Sequence, residues 1–206
     1  MNVQHTRRRW IIVLAALAAL LAGGFAVRSG LSQGTEVYAT GGAQGADNVI
    51  EFEVAENGLR FLFDETPVHE DGMPAYGNPF VTEGYLYPAG TLNGSNGVLA
   101  DGSPEFPEKV IGTWICRGYM IGDGAHTTTG AWVISTQTYN FGDRTGPAMM
   151  TTEGFELADI GEPVARSVIG GTGSYKGVEG EQTQTLLGFT EQMGVNLRVQ
   201  INTTNR

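Results

Sequence analysis

The stretch Ile169-Gly170-Gly171-Thr172-Gly173-Ser174-Tyr175-Lys176-Gly177-Val178-Glu179-Gly180-Glu181 constrains this chain more than any other. Apolar Val168 and Ile169 lead into it, and Gln182-Thr183-Gln184-Thr185-Leu186-Leu187 leads out. Glycines permit positive φ and close backbone approach, which bulges and barrel corners need. Thr and Leu in the exit suit a strand. The run therefore reads as a tight connection entering an antiparallel strand.

Two phosphate-binding readings fail on spacing. A Walker loop ends in Gly-Lys-Ser/Thr, whereas Lys176-Gly177 runs the other way. A dinucleotide fingerprint needs Gly-x-Gly-x-x-Gly opening a helix, and the gap from Gly173 to Gly177 is one residue too long. The residues after Gly177 are rich in Gly, Thr and Gln rather than helix formers.

The rest of the chain agrees with strands. Ile50, Phe52 and Val54 alternate with Glu51 and Glu53, which predicts a half-buried strand. Asn57-Gly58 is a hairpin-turn dipeptide. Leu59, Phe61 and Phe63 then alternate with Arg60 and Asp64, predicting a second strand that ends near Glu65. Residues 66–79 and 88–107 read as loops, with strands over 80–87, 109–121, 130–141, about 148–156, 163–169, 179–187 and 194–203. There is no convincing helix after residue 27. With 31 glycines in 206 residues, eight or nine short strands predict an all-β chain, a closed barrel or a sandwich. About eight strands close around an interior that is filled or holds one small ligand.

The N-terminus is set apart from this body. Arg7-Arg8-Arg9 precedes an uncharged apolar run from Trp10 to Val27, and Arg28-Ser29-Gly30 ends it. That order describes a secretory signal, and the run is also long enough to span a bilayer if uncleaved. Val37-Tyr38-Ala39 is a cleavage box, and Thr6–Ile11 resembles a twin-arginine signal. Residues 1–39 are thus assigned as signal peptide or membrane anchor with linker, 40–48 as a flexible linker, and 49–206 as the barrel. The expected location is extracytoplasmic, with membrane contact only through the N-terminal segment. Without residues 1–39 the body holds eight basic against twenty-one acidic residues, which excludes nucleic acid as a partner.

Chemistry is sparse. Cys116 is the only cysteine, so no intrachain disulfide forms, and its apolar setting reads as a buried structural thiol. His69 and His126 lack a second ligand at metal-site spacing, and no metal is expected. No serine sits in a nucleophile elbow. A cavity inside a barrel is the better site. Parity nominates Glu56, next on the face of Ile50-Phe52-Val54, and Glu65, next on that of Leu59-Phe61-Phe63. A carboxyl at the edge of an apolar interior has a raised pKa and suits acid–base work. A solvated glutamate at a strand end is the plain alternative for each. Trp114, Cys116 and Met120 are expected to face inward. Gln137 and Tyr139 share the face of Val133 and Phe141, either as cavity groups or as ordinary barrel residues.

The glycine run also resembles the Gly-Gly-Thr-Gly-x-aromatic-x-Gly-Ala/Val-x-Gly signature of the allene oxide cyclase and dirigent protein superfamily. The likeness spans roughly residues 49–201. Gly77-Asn78-Pro79-Phe80-Val81 with Gly84-Tyr85-Leu86-Tyr87, Lys109-Val110-Ile111-Gly112, and Tyr139-Asn140-Phe141-Gly142-Asp143 support it in order and spacing. The resemblance implies a closed antiparallel eight-stranded β-barrel, often a homo-oligomer, with an apolar cavity and no metal or organic cofactor. Plant members cyclise an unstable fatty-acid epoxide or guide the coupling of phenoxy radicals. Such catalysis is mostly orientation and shielding. A cyclase-like first-strand carboxylate corresponds to Glu65 or Glu56. The cyclase's third-strand cysteine falls near Gly118 and is absent. The export signal fits no chloroplast cyclase, so the plant activity does not transfer.

Two functions are consistent with these residues. In the first, an exported barrel binds a small hydrophobic or phenolic ligand and isomerises it or steers its coupling without a cofactor. Glu65 or Glu56 would be catalytic, and Phe63, Trp114, Gln137 and Tyr139 would line the cavity. In the second, the barrel is a non-catalytic interaction or structural module that uses loops 66–79 and 88–107.

Overall fold

The computed structural model describes residues 49–142 and 148–204. The apolar N-terminal segment and the 40–48 linker lie outside the described residues. Nine strands form one sheet: β1 (Val49–Glu56), β2 (Leu62–Phe63), β3 (Pro79–Pro88), β4 (Gly112–Met120), β5 (Ala131–Phe141), β6 (Ala148–Leu157), β7 (Pro163–Thr172), β8 (Gly180–Phe189) and β9 (Val195–Thr203). Every pairing between them is antiparallel. The order is β1-β9-β8-β7-β6-β5-β4-β3, and β1 pairs back onto β3 to close a ring of eight long strands. Closure removes the free edges that an open sheet would present.

Alternation along each strand fills the interior. Phe52, Trp114, Tyr139, Leu86, Met150 and Leu197 are each at most 2% exposed. The Phe52 ring meets Tyr139 edge-on at 4.8 Å and Phe141 at 5.4 Å, geometries that add to the area buried. At the end where β1 finishes, Phe61 stacks on Phe80 at 5.4 Å. At the opposite end Tyr175, from the glycine run, packs on Phe141 at 5.2 Å.

That run connects β7 to β8 through a short 3-10 turn at Gly173–Tyr175, as its composition predicts. Gly173 opens the turn at φ 58°, a conformation costly for other residues. Gly180 enters β8 so near its partner strand that a Cβ would lie 2.0 Å from the Asn202 carbonyl oxygen.

The predicted second strand and its hairpin are corrected. Asn57 Oδ1 instead accepts the Leu59 amide and caps a 3-10 turn over Gly58–Arg60, leaving only two strand residues. Chain direction does not reverse, because β1 and β2 both pair with β3. A Cβ at residue 58 would sit 2.2 Å from the Gln192 carbonyl oxygen, so this glycine serves a close approach rather than a hairpin. The alternation through Phe63 therefore does not correspond to a barrel strand.

Both long loops are fastened to the body. Loop 88–107 lies over the outer wall, where Leu92 and Val98 pack with Ala55 and Tyr87. Beneath it the fully buried Glu53 accepts the Leu92 amide at 2.7 Å and an Arg198 N–H at 3.1 Å. Tyr87 Oη donates to Gly97 O at 2.7 Å, and Asn57 Nδ2 to Gly102 O at 2.8 Å. In loop 66–79, buried Asn78 donates to Asp64 O and Pro67 O. His126 meets Asp71 at 2.9 Å, and its ring stacks on His69 at 4.0 Å.

Candidate functional site

Ionisable groups gather inside the barrel toward the end where β1 finishes. Parity carries Glu56 inward after Phe52 and Val54, and it is 4% exposed. Its Oε2 accepts the Val195 amide at 2.7 Å. Burial pushes its carboxyl up from 4.5 to about 7, opposed by the Thr82 hydroxyl and the Val195 amide and reinforced by the charge of Glu156. Desolvation disfavours the charged form, so this group exchanges its proton near neutrality.

Glu156 on β6 is also 4% exposed but has a different setting. Its Oε1 accepts from the Ser135 hydroxyl, lies 3.5 Å from Cys116 Sγ and is 3.8 Å from Arg166 Nη1. Its Oε2 accepts from Gln184 Nε2 at 3.1 Å. Arg166 on β7, 2% exposed, donates to Phe155 O at 2.9 Å, to Ser135 O at 2.8 Å and to Ser135 Oγ at 3.0 Å. Such further bonds to Nη1 and Nη2 help a buried ion pair to persist, although among the described residues Arg166 Nε has no partner. Two interior carboxylates near enough to feel each other's charge thus lie in unlike environments, an arrangement that separates acid and base roles.

Trp114, Gln137 and Tyr139 also face inward on adjoining strands, with Trp114 opposite Tyr139 and Cys116 opposite Gln137. All are at most 1% exposed. Burial raises the Tyr139 hydroxyl above the usual phenol range. The Cys116 thiol is pushed well up by burial and by Glu156, which agrees with a structural thiol and removes it as a nucleophile. The structure does not bring the other two nominees to this group. Glu65 is exposed in the turn after β2, and Phe63 is 40% exposed with its ring 5.9 Å from Phe61.

Glu156, Arg166, Ser135, Gln182 and Gln184 were not nominated by the sequence. The usable signal was parity: Glu156 continues the face of Met150 and Thr152, and Arg166 lies between Val164 and Val168. A cavity of about 120 Å³ lies elsewhere, lined on the outer wall by Arg60, Glu83, Tyr85, Thr113 and Ile115 among others.

No family model matches the chain, and no curated protein matches it. Solved structures share its fold. The pterocarpan synthase dirigent protein PsPTS1 superposes with a TM-score of 0.54 at 13% identity, over 77% of this chain and 96% of that one. The pterocarpan synthase dirigent protein GePTS1 superposes at 0.51 and 12% identity, over 75% and 85%. A pyocyanin demethylase superposes at 0.49 and 13% identity, over 76% and 99%. The body therefore has the dirigent-like barrel fold that the glycine signature implies, and at such identity the likeness extends to the fold alone.

Proposed function

We propose that this chain is an exported barrel that takes a small hydrophobic or phenolic ligand at the Glu56 end of its interior and moves a proton on it. The observation that carries this reading is the buried Glu56 carboxyl with its pKa near 7, facing the charge of an Arg166-tied Glu156. Near neutral pH Glu56 donates a proton to a ligand oxygen or carbon, or removes one. The Glu156–Arg166 pair supplies a fixed local field that needs no reorganisation during the reaction. Aromatic walls from Trp114 and Tyr139 orient the ligand and exclude water. An isomerase- or cyclase-like proton shift, or steering of a coupling, needs no more than these side chains. Dirigent proteins of the same fold support a small-molecule role without assigning the reaction.

The first test is native mass spectrometry of the protein purified from its own host. A co-purifying small molecule identifies the ligand class. With that ligand, Glu56→Gln is expected to abolish turnover while the circular dichroism of the barrel is retained. Unchanged turnover sinks the assignment of Glu56.

A second reading has its own observation. On the outer wall Tyr119 lies opposite Ile134, and Ile134 opposite Phe155. These three side chains are 57%, 37% and 49% exposed. Such a contiguous apolar row suits an interaction module or a homo-oligomer. The loops 66–79 and 88–107, each pinned to the body, are the weaker candidates for that contact.

A further inference from the structure

We propose that Gln137, Tyr139, Gln182 and Gln184 form a one-way chain of hydrogen bonds that ends on the Glu156 carboxylate and sets its orientation. A single proton decides the direction. The Tyr139 hydroxyl lies 2.9 Å from Gln182 Oε1 and also meets Gln137 Oε1. A phenol has one hydrogen to donate, so it serves only one of these oxygens. The other amide must present its NH2 group to the tyrosine oxygen, a choice that the surrounding network decides.

Turning Gln182 propagates a conflict. Gln182 Nε2 lies 3.2 Å from Gln184 Oε1, and Gln184 Nε2 lies 3.1 Å from Glu156 Oε2. With Gln182 reversed, its oxygen faces the Gln184 oxygen. Reversing Gln184 as well places its oxygen against the Glu156 carboxylate, two acceptors with no hydrogen between them. Turning Gln137 creates no such clash. Among the described residues its Nε2 otherwise has no partner, and the turn gives it one.

The direction is then fixed. Gln137 Nε2 donates to Tyr139 Oη, Tyr139 to Gln182 Oε1, Gln182 to Gln184 Oε1, and Gln184 to Glu156 Oε2. The other carboxylate oxygen takes the Ser135 hydroxyl. Each of the four residues is at most 2% exposed. Glutamine is seldom buried so fully, and a satisfied polar chain specifies one arrangement of a core. These are positioning residues: they act through Glu156 and hold its carboxylate in one orientation. Their catalytic relevance rests on the acid–base reading above, whereas the chain itself does not.

Solution NMR of the full chain tests the direction and the coupling. Glu156→Gln replaces the terminal acceptor with a group that is half donor. The side-chain amide signals of Gln182 and Gln137 are expected to move together with that of Gln184, although neither touches residue 156. Movement confined to Gln184 overturns the chain. Because Glu156→Gln leaves Arg166 without its counter-charge and can unfold the barrel, Tyr139→Phe provides the second arm. It keeps the ring and removes the hydroxyl. The Gln184 amide signal is expected to move, although Tyr139 does not contact it, and an unmoved signal overturns the proposal. Neither arm needs a ligand. The chain can therefore fail while Glu56 remains catalytic, and inactivity of Glu56 leaves the chain standing.

Discussion

Glu56 links pH to stability through one proton. In the unfolded chain it ionises near its ordinary 4.5, and in the barrel near 7. Between these values the folded state holds a proton that the unfolded state has released. Stability from this group is therefore complete below pH 4.5 and falls as pH rises toward 7, by about 3 kcal/mol in all. Glu56→Gln keeps the acceptor for the Val195 amide but cannot ionise. The wild type is expected to lose about that much relative to the variant from pH 4.5 to 7.5 in urea titrations, and a pH-independent difference would contradict the assignment. Arg166→Leu belongs to the same scale. It leaves Glu156 charged and buried, with an expected cost of about 3–5 kcal/mol by the same measurement. Glu56 was legible in the sequence because Ile50-Phe52-Val54 fixes its face. Glu156 and Arg166 were not, although their strands were, because a charged residue on the parity of Met150-Thr152 or Val164-Val168 reads equally well as a break in an apolar face. Gln182 and Gln184 were placed on the exit strand without a face, since polarity in a sequence does not tell an interior network from a wet surface.

Elements succeed or fail in this chain at its glycines. β4, most of β5 and the later part of β9 follow their period-two pattern, whereas β1 is buried on both faces from Phe52 to Glu56 because loop 88–107 covers its outer side. At residues 57–63 the same pattern continues in letters but not in space, because Asn57 diverts the backbone into a capped turn. No count of apolar residues reveals that cap. Gly180→Ala tests the opposite case, where the sequence was right. A Cβ there would strike the backbone of the neighbouring strand, and the expected loss is about 2 kcal/mol or more, seen as a lower urea midpoint. The cover formed by 88–107 has its own weak point. Glu53→Ala deprives the Leu92 amide of its acceptor at 2.7 Å. Hydrogen exchange over 91–97 is expected to accelerate while β4 and β5 stay protected. Equal acceleration everywhere would show that the cover and barrel unfold as one.

At the scale of the whole molecule, the closed antiparallel barrel was legible from strand number and spacing, together with the resemblance carried by the glycine run. Its outer wall was not, since exposure there depends on which loops fold back. Loop 88–107 covers β1, whereas the Tyr119–Ile134–Phe155 row stays open. If that row joins copies, Ile134→Lys is expected to reduce the mass measured by light scattering to that of a single chain, without changing the circular dichroism.

The position of β1 also sets a schedule. It pairs with β3 on one side and with β9, the last strand, on the other. As a chain emerges residue by residue, β1 finds its first neighbour early and its second only once β9, eight strands later, has emerged. Until then two open edges face outward, available to any other extended chain. A barrel closed by a strand so late in its own sheet is therefore safest if it is kept from folding until that strand is available.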